Sequence, residues 1–293
     1  MSRYLAVLVW PVGMALIFGI AAVASRRARV GAGPDANGRD TGRRHSRRRA
    51  AGAAPGQAVR EAGQLIAVAI VGVLVVFGVM SLLGLVVVYH GLTIDKPIFT
   101  WVSGHQVHAV AAAMKRLTKI GDTWTTWGAA AAAAVCLAVS SRSRRWLAPV
   151  ALAALIVADH YTTLALRHEF HRLGPPTSPL GTFPSGGCDR CIVFFGLIAY
   201  LLWREFSGRR ETAIWAGAAV AALGFNEAFS RVYLSLHWFT DALSGLLYGG
   251  LLLLAFVIAI RMVAGRAVTV PRPGEPVAVG HGIQTTPAEG SIA

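Results

Sequence analysis

Residues 65–89 read LIAVAIVGVLVVFGVMSLLGLVVVY, a run of 25 residues without Asp, Glu, Lys or Arg. As an α-helix this run is about 37 Å long, enough to cross the ~30 Å hydrocarbon core of a bilayer. Alternating ten-residue strands, the mark of a membrane β-barrel, do not occur in the sequence, so a helical bundle is the remaining spanning structure. We therefore predict an all-α, polytopic transmembrane helical bundle. Six further predominantly apolar runs cover residues 4–24, 125–141, 146–166, 188–203, 213–229 and 238–260.

The composition agrees with a membrane protein. Hydrophobic residues make up 55% of the chain and charged residues only 14%, whereas an ordinary soluble domain has about 25% charged residues. A net charge of +14 is typical of nucleic-acid-binding proteins, but here the apolar residues are gathered into long uncharged blocks. Nucleic acid is therefore not an expected partner, and three cysteines do not make a disulfide scaffold.

The basic residues predict the orientation of the spans. Nineteen of the 28 Lys and Arg residues fall in four stretches, residues 26–60, 142–145, 204–210 and 261–272, which alternate correctly between the spans. Cytoplasmic loops carry the excess of Lys and Arg, so these stretches are predicted to be cytoplasmic. The N-terminus is then outside and the C-terminus inside, in a protein of the bacterial inner (plasma) membrane.

The chain divides into four predicted segments. Residues 1–25 form an N-terminal span, 26–64 a basic flexible cytoplasmic linker, 65–262 a membrane-embedded domain and 263–293 a flexible cytoplasmic tail. The linker is expected to contact anionic lipid headgroups. Residues 1–25 are alternatively a cleaved signal peptide, since Ala22-Val23-Ala24 resembles a cleavage site. Cleavage would place the arginine-rich linker outside, so the uncleaved span is the favoured interpretation.

The remaining nine basic residues are predicted to lie on the outer side. Those in the loop 90–124, where residues 107–120 predict an amphipathic helix on the membrane surface, are interpreted as solvated charge. Four arginines instead fall just beyond the ends of spans four, five and six. Guanidinium groups that converge at one membrane face suggest a bound phosphate or carboxylate. These four are Arg167, Arg172, Arg190 and Arg231.

Two short segments add chemistry at the same face. Pro184-Ser185-Gly186-Gly187 precedes an apolar run and predicts a helix start, with Ser185 as N-cap and free backbone N–H groups as an anion site. After span six, His237 and Asp241 are spaced i, i+4, so that on a helix the carboxylate could hold one imidazole nitrogen. The alternative is a polar pair that only stabilises helix packing.

Taken together, these segments resemble the type 2 phosphatidic acid phosphatase family, the membrane branch of the superfamily that includes vanadium haloperoxidases. The family carries Lys-x6-Arg-Pro, then Pro-Ser-Gly-His, then Ser-Arg-x5-His-x3-Asp. The third motif is complete here, from Ser230 and Arg231 through His237 to Asp241. The resemblance covers about residues 65–262 and implies a six-helix phosphatase core with one extra N-terminal span.

The resemblance also implies roles for individual residues. His237 would attack phosphorus and form a phosphohistidine, Asp241 would orient it, and Arg231 would neutralise phosphate oxygens. The family's site needs no metal, and no cofactor is expected. The residues expected to hold phosphate are Arg167, Arg172, Ser185, Gly186, Arg190 and Ser230.

Two departures from the family's motifs bear on the chemistry. Gly187 stands where the second motif has the histidine that protonates the departing oxygen. In the first motif Arg167 takes the lysine position and Gly174 the arginine position, so Arg172 or Arg190 would have to return the lost charge. A substitute proton donor would come from His168, His171 or Asp189.

The leading hypothesis is a membrane lipid phosphatase or phosphotransferase that acts at the outer face. Without the histidine a polyprenyl diphosphate is the preferred substrate, because a lipid monophosphate leaves without a proton more easily than an alcohol does. The alternative is a phospholipid-binding pseudophosphatase. A transporter or channel has less support, because the ionisable residues lie near one face and not at the midplane. Cys188 and Cys191 are interpreted as packed or disulfide-linked, with a redox pair as the alternative. Asp159 and His160 are interpreted as a buried polar pair or as a solvated feature of the span end.

Overall fold

The computed structural model of the protein describes residues 55–141, 144–176, 178 and 182–265. The predicted first span, its alternative as a signal peptide, and most of the linker and tail lie outside these residues. Their regular elements are helices, and a π-helical turn at Trp203–Ser207 continues the fifth of them. The helices are α1 (Pro55–Gly104), α2 (His108–Leu117), α3 (Thr123–Ser140), α4 (Leu147–Phe170), α5 (Gly186–Leu202), α6 (Arg210–Tyr233) and α7 (Phe239–Gly265).

The predicted all-α membrane bundle is confirmed. Among the described residues, five helices are long and apolar enough to cross a membrane, namely α1, α3, α4, α5 with its π-helical turn, and α7. The remaining predicted span is present as α6, which has the same 24-residue length as α4. Its apolar stretch is interrupted by Asn226 and Glu227, and Glu227 is fully buried inside the protein.

Helix α1 is twice as long as the predicted span. Its 50 residues extend about 75 Å, from Pro55, ten residues before the predicted start, to Gly104. Within residues 55–64, which had been assigned to the linker, Gln57 Nε2 donates to Glu61 Oε1 at 3.1 Å. The Glu61 carboxylate also pairs with Arg144 at 3.4 Å. These contacts explain why the helix begins before the apolar run does.

Helix α5 forms the centre of the bundle and packs against α3, α6 and α7. Its first turn lies very close to α7, because two glycines of α7 carry no side chain at the contact. A Cβ on Gly249 would lie 2.6 Å from the carbonyl oxygen of Asp189, and one on Gly245 would lie 3.1 Å from Cys188 Cβ. Small residues permit this kind of close helix approach in membranes. The start of α5 is therefore fixed on α7.

A buried ionic cluster, which we call the Arg172 junction, joins distant parts of the chain. Arg172 follows α4, and its guanidinium donates to the carboxylates of Asp95 in α1, at 2.6 Å, and of Asp241 in α7. Thr240 completes the cluster, since its backbone N–H donates to Asp95 Oδ1 at 2.9 Å. All four side chains are buried. The junction thus fastens the loop after α4 between the C-terminal part of α1 and the first turn of α7.

Candidate active site

A cavity of about 390 Å³ opens at the end of the bundle where α4 and α6 finish and α3, α5 and α7 begin. This is the end that carries the two motif segments identified in the sequence, around residues 184–187 and 230–241. The cavity is lined by Asp122, Thr123, Trp124, Arg167, Ser178, Thr182, Arg190, Arg231 and His237.

His237 lies in the turn between α6 and α7, with its backbone N–H bonded to the carbonyl oxygen of Arg231 at 3.3 Å. Its Nδ1 is 3.1 Å from the carbonyl oxygen of Thr182. A carbonyl oxygen only accepts, so the ring hydrogen is on Nδ1 and Nε2 keeps its lone pair. Burial, reinforced by Arg231 and Arg167, lowers the pKa of His237 to about 3. The ring is therefore a neutral imidazole with one nitrogen able to act as a nucleophile.

Three of the four arginines singled out in the sequence line the cavity. Arg167 comes from the last turn of α4, Arg190 from the first turns of α5, and Arg231 from the end of α6. Nε of Arg167 is buried and has no hydrogen-bond partner, whereas Nε of Arg190 donates to the carbonyl oxygen of Gly121 at 3.1 Å. A buried donor without a partner is costly, so this cluster has the donors that a bound oxyanion would satisfy.

The start of α5 lies beneath these arginines. The helix begins at Gly186 with Ser185 as the N-cap residue in an extended conformation, as the sequence predicted. A Cβ on Gly186 would lie 2.8 Å from Nη2 of Arg167 and 2.9 Å from Nη1 of Arg190. The absence of a side chain lets both guanidinium groups approach the helix terminus, whose free N–H groups favour anions.

The space beside Gly187, where the family carries a histidine, is occupied. A Cβ on Gly187 would lie 2.6 Å from Glu227 Oε1 and 2.7 Å from Nη2 of Arg231. Gly121 makes room from the other side, since its Cβ would also lie 2.6 Å from Glu227 Oε1. Glu227 Oε1 accepts from Arg231 Nε at 2.6 Å and from Thr118 Oγ1 at 3.0 Å. Gly121 and Gly187 thus leave room for a buried ion pair between Glu227 and Arg231, and Glu227 holds Arg231 in place.

The structure corrects the predicted contact between His237 and Asp241. The Asp241 carboxylate accepts from Arg172 and from the backbone N–H of Trp238, the latter at 3.3 Å. Thr182 bonds His237 in its place, and the backbone N–H of Thr182 donates to the carbonyl oxygen of Arg172 at 3.0 Å. Asp241 therefore reaches His237 indirectly, through Arg172 and the loop before α5.

Arg172 itself does not face the cavity, so its predicted role in replacing the lost motif arginine is wrong. Its guanidinium is occupied by the two carboxylates of the Arg172 junction, and the residue is 7% exposed. A guanidinium whose Nη atoms are bonded to Asp95, Thr240 and Asp241 is not available to hold a phosphate.

Six further predicted residues, Gly186 among them, lie outside the cavity lining. The Ser185 hydroxyl is buried against Cys188 Sγ at 3.3 Å, and Ser230 Oγ donates to the carbonyl oxygen of Glu227 at 2.8 Å. The three suggested proton donors do not reach the cavity either. Asp189 is completely buried beside Thr163, while the rings of His168 and His171 contact each other on the exposed end of α4.

The sequence interpretation missed Asp122, the residue before α3. Its Oδ1 is 3.2 Å from Nη2 of Arg231, and its Oδ2 is 3.2 Å from Lys119 Nζ. The sequence feature that could have identified Asp122 is its position as a carboxylate at a predicted span boundary, where an ionisable residue is a functional candidate by default. The other missed lining residues are Thr123, Trp124, Ser178 and Thr182.

The two polar pairs noted in the sequence are also resolved. Cys188 and Cys191 are buried free thiols, so they are packed and not disulfide-linked. Asp159 faces the bundle interior and is buried, whereas the exposed ring of His160 contacts those of Trp127 and Tyr161. Asp159 and His160 therefore point in different directions and do not form a pair.

Comparison with known proteins assigns the family. The profile of the PAP2 superfamily matches residues 85–264, which is more than half of the chain and includes every residue of the cavity. The chain belongs to the PAP2 superfamily. Its fold is similar to that in the crystal structure of the first transmembrane PAP2 type phosphatidylglycerolphosphate phosphatase from Bacillus subtilis, with a TM-score of 0.56 and 18% sequence identity. That match covers 68% of this chain and 98% of the other. A search of curated proteins gave no match.

Proposed function

We propose that the protein is an integral membrane lipid phosphatase that forms a phosphohistidine on His237. The observation that carries this proposal is the convergence of one neutral imidazole and three guanidinium groups in a single cavity. With Nδ1 committed to the Thr182 carbonyl oxygen, Nε2 is the nitrogen available for attack. Arg167, Arg190 and Arg231 would hold the phosphate oxygens, as guanidinium groups do in many phosphate sites.

The reaction divides into two displacements. In the first, the lone pair of His237 Nε2 attacks the terminal phosphorus, the bond from phosphorus to the leaving oxygen breaks, and that oxygen keeps the electron pair. In the second, water attacks the phosphorus of the phosphohistidine, the N–P bond breaks, and its electrons return to Nε2. The arginines stabilise the negative charge on the transferring group in both steps.

A polyprenyl diphosphate is the preferred substrate in this proposal. No histidine stands at position 187, and the ion pair of Glu227 and Arg231 fills the space beside it. A lipid alcohol is a poor leaving group without a proton donor, whereas a lipid monophosphate leaves readily. Three arginines also match the higher charge of a diphosphate. The positive-inside pattern of the loops favours a cavity that faces outward, at the outer leaflet.

Asp241 acts as a positioning residue in this mechanism. Its carboxylate holds Arg172, whose carbonyl oxygen in turn holds Thr182, and the Thr182 carbonyl oxygen fixes the His237 ring. The chain of contacts sets both the tautomer and the direction of the nucleophile.

The test uses purified protein in detergent micelles with farnesyl diphosphate, farnesyl monophosphate and phosphatidic acid as substrates. We expect phosphate release from the diphosphate at a rate well above that from the other two, and no release by His237→Ala. Glu211→Gln, an exposed position at the start of α6, serves as the matched control. Normal turnover by His237→Ala would refute the mechanism, and equal rates on all three lipids would refute the substrate preference.

A phospholipid-binding pseudophosphatase is the second candidate. It is favoured by the two carboxylates, Glu227 and Asp122, that already bind Arg231 in the cavity wall. This candidate predicts saturable binding of the diphosphate lipid without phosphate release, and binding that survives His237→Ala.

A further inference from the structure

The second half of the proposed reaction needs a group that accepts a proton from water. Water is a weak nucleophile, and its attack on the phosphohistidine is accelerated when a side chain takes its proton as the bond to phosphorus forms. The resemblance gives the second-motif histidine the task of protonating the departing oxygen, and its position is Gly187 here, so no histidine stands there to take a proton from water either. Some other side chain must therefore take the proton.

Glu227 fills the place of that histidine but cannot reach the water. It is completely buried, and its Oε1 is bonded to Arg231 and to Thr118. Arg231, which lines the cavity while Glu227 does not, lies between this carboxylate and the phosphate site. Its contacts fit a residue that fixes Arg231.

Asp122 is the one carboxylate among the described residues that line the cavity. It is the N-cap residue of α3, yet its side chain makes no capping hydrogen bond. Aspartate at this position ordinarily caps the helix, so the carboxylate has been turned away from its usual partner. It is 35% exposed and is held between Arg231 and Lys119.

The same guanidinium fixes where Asp122 stands relative to a bound phosphate. Nη2 of Arg231 is 3.2 Å from Asp122 Oδ1, while Nε of Arg231 is bonded to Glu227. Nη2 also donates to the carbonyl oxygen of Thr118 at 3.4 Å, so Nη1 remains for a phosphate oxygen and belongs to the same planar guanidinium that contacts Asp122. Water has access to this carboxylate because its side chain is 35% exposed.

We propose that Asp122 is the general base for hydrolysis of the phosphohistidine, a role that rests on the proposed function. Asp122 accepts one proton from the attacking water, the water oxygen bonds to phosphorus, and the N–P bond breaks with its electrons returning to Nε2 of His237. The products are inorganic phosphate and protonated Asp122, which gives its proton to solvent. No acid is required in the first displacement when the leaving group is a lipid monophosphate.

The test is a quenched-flow experiment with farnesyl diphosphate radiolabelled in its terminal phosphate. In Asp122→Asn, which keeps the side-chain volume and the N-cap preference, we expect a rapid release of farnesyl monophosphate equal to the amount of enzyme. Label should then accumulate on the protein in an acid-labile form, while turnover falls roughly 10²–10⁴-fold. Asp122→Glu should recover part of the turnover, and Glu211→Gln should behave as the wild type.

The outcomes separate this inference from the proposed function. If Asp122→Asn slows labelling of the protein as much as it slows turnover, Asp122 only positions Arg231 and the proposal is wrong. Turnover of Asp122→Asn at the wild-type rate also overturns it. If His237→Ala still turns over and the wild type is never labelled, the phosphohistidine itself is refuted, and Asp122 has no such intermediate to act on.

Discussion

The packing around Gly187 makes a quantitative prediction for the variant Gly187→Ala. The new Cβ would lie 2.6 Å from Glu227 Oε1 and 2.7 to 2.8 Å from Arg231, whereas ordinary contacts begin near 3.4 Å. Glu227 and Arg231 must therefore shift by more than half an ångström. Overpacking of this kind costs about 1–3 kcal/mol, and losing a buried ion pair costs about 3–5 kcal/mol. Because the pair is displaced and not removed, we expect a loss of ~3 kcal/mol.

Two measurements on purified protein in detergent micelles check this value. At about 2–4 °C per kcal/mol for a domain of this size, the unfolding temperature followed by tryptophan fluorescence should fall by about 10 °C. Phosphate release should fall roughly 10²-fold, because a misplacement of about 1 Å in a substrate-binding group has that effect. Gly187→His should be impaired at least as much, so restoring the family's histidine alone does not restore its function.

A matched control and a double variant make the prediction specific. Gly128→Ala adds the same methyl group to α3, where a Cβ meets nothing within 4 Å, and should not lower the unfolding temperature. Gly187→Ala combined with Glu227→Ala should be less destabilised than the sum of the single variants by about 1–2 kcal/mol. A Gly187→Ala protein with wild-type stability and turnover would refute the packing argument.

Three more variants or conditions test other parts of the site. Because the pKa of His237 is lowered to about 3, labelling of the protein should show no loss centred near pH 6.5 as the pH is lowered. In the unfolded chain His237 takes up a proton near pH 6.5, whereas in the folded protein it does so only near pH 3. The free energy of unfolding therefore falls as the pH is lowered from about 6.5 to about 3. His237→Gln should reduce that fall in thermal unfolding measured at several pH values. Arg172→Gln leaves the carboxylates of Asp95 and Asp241 unpaired and should destabilise the protein by about 3–5 kcal/mol in thermal unfolding; a loss under 1 kcal/mol would contradict the Arg172 junction. Arg190→Gln should instead lower kcat/KM roughly 10²-fold with little change in unfolding temperature. A loss of activity accompanied by an equally marked loss of stability would contradict its place in the cavity.

The spans and the cationic part of the cavity could be predicted from the sequence. Apolar runs long enough to cross a bilayer must form helices, because the backbone polar groups find no other partners in lipid. Arginines at the ends of three spans on the same side of the membrane are then expected to lie at one face. Arg167, Arg190 and Arg231 accordingly line one cavity with His237. Both inferences depend only on spacing along the chain and on which side of the membrane each loop lies.

Pairings between distant side chains could not be predicted in this way. Arg172 was expected at the phosphate because it lies beside a predicted site, but its partner Asp95 is 77 residues away in the chain. Nothing in the local sequence marks Asp95 as buried. Glu227 likewise looked like a residue within a span, and only the packing of α6 against Gly121 and Gly187 shows that it fills the vacated position.

The end of α1 illustrates the same limit. The apolar run stops at residue 89, so the sequence predicted a loop, whereas the helix continues to Gly104. Inside this continuation the Asp95 carboxylate finds Arg172 and Thr240. A contact formed after folding therefore supports helical turns that the hydropathy pattern did not require.

The Arg172 junction has a consequence for how the protein is assembled. Its three charged members belong to the first described helix, to the loop after α4 and to the last helix. During synthesis Arg172 emerges long before Asp241 does, so for much of membrane insertion it has only half of its final counter-charge. The Thr182 carbonyl that fixes His237 is held through Arg172, and His237 itself precedes α7. A chain that has not yet packed its last helix therefore lacks contacts that fix the His237 ring, and under the proposed function hydrolysis would begin only when insertion is complete.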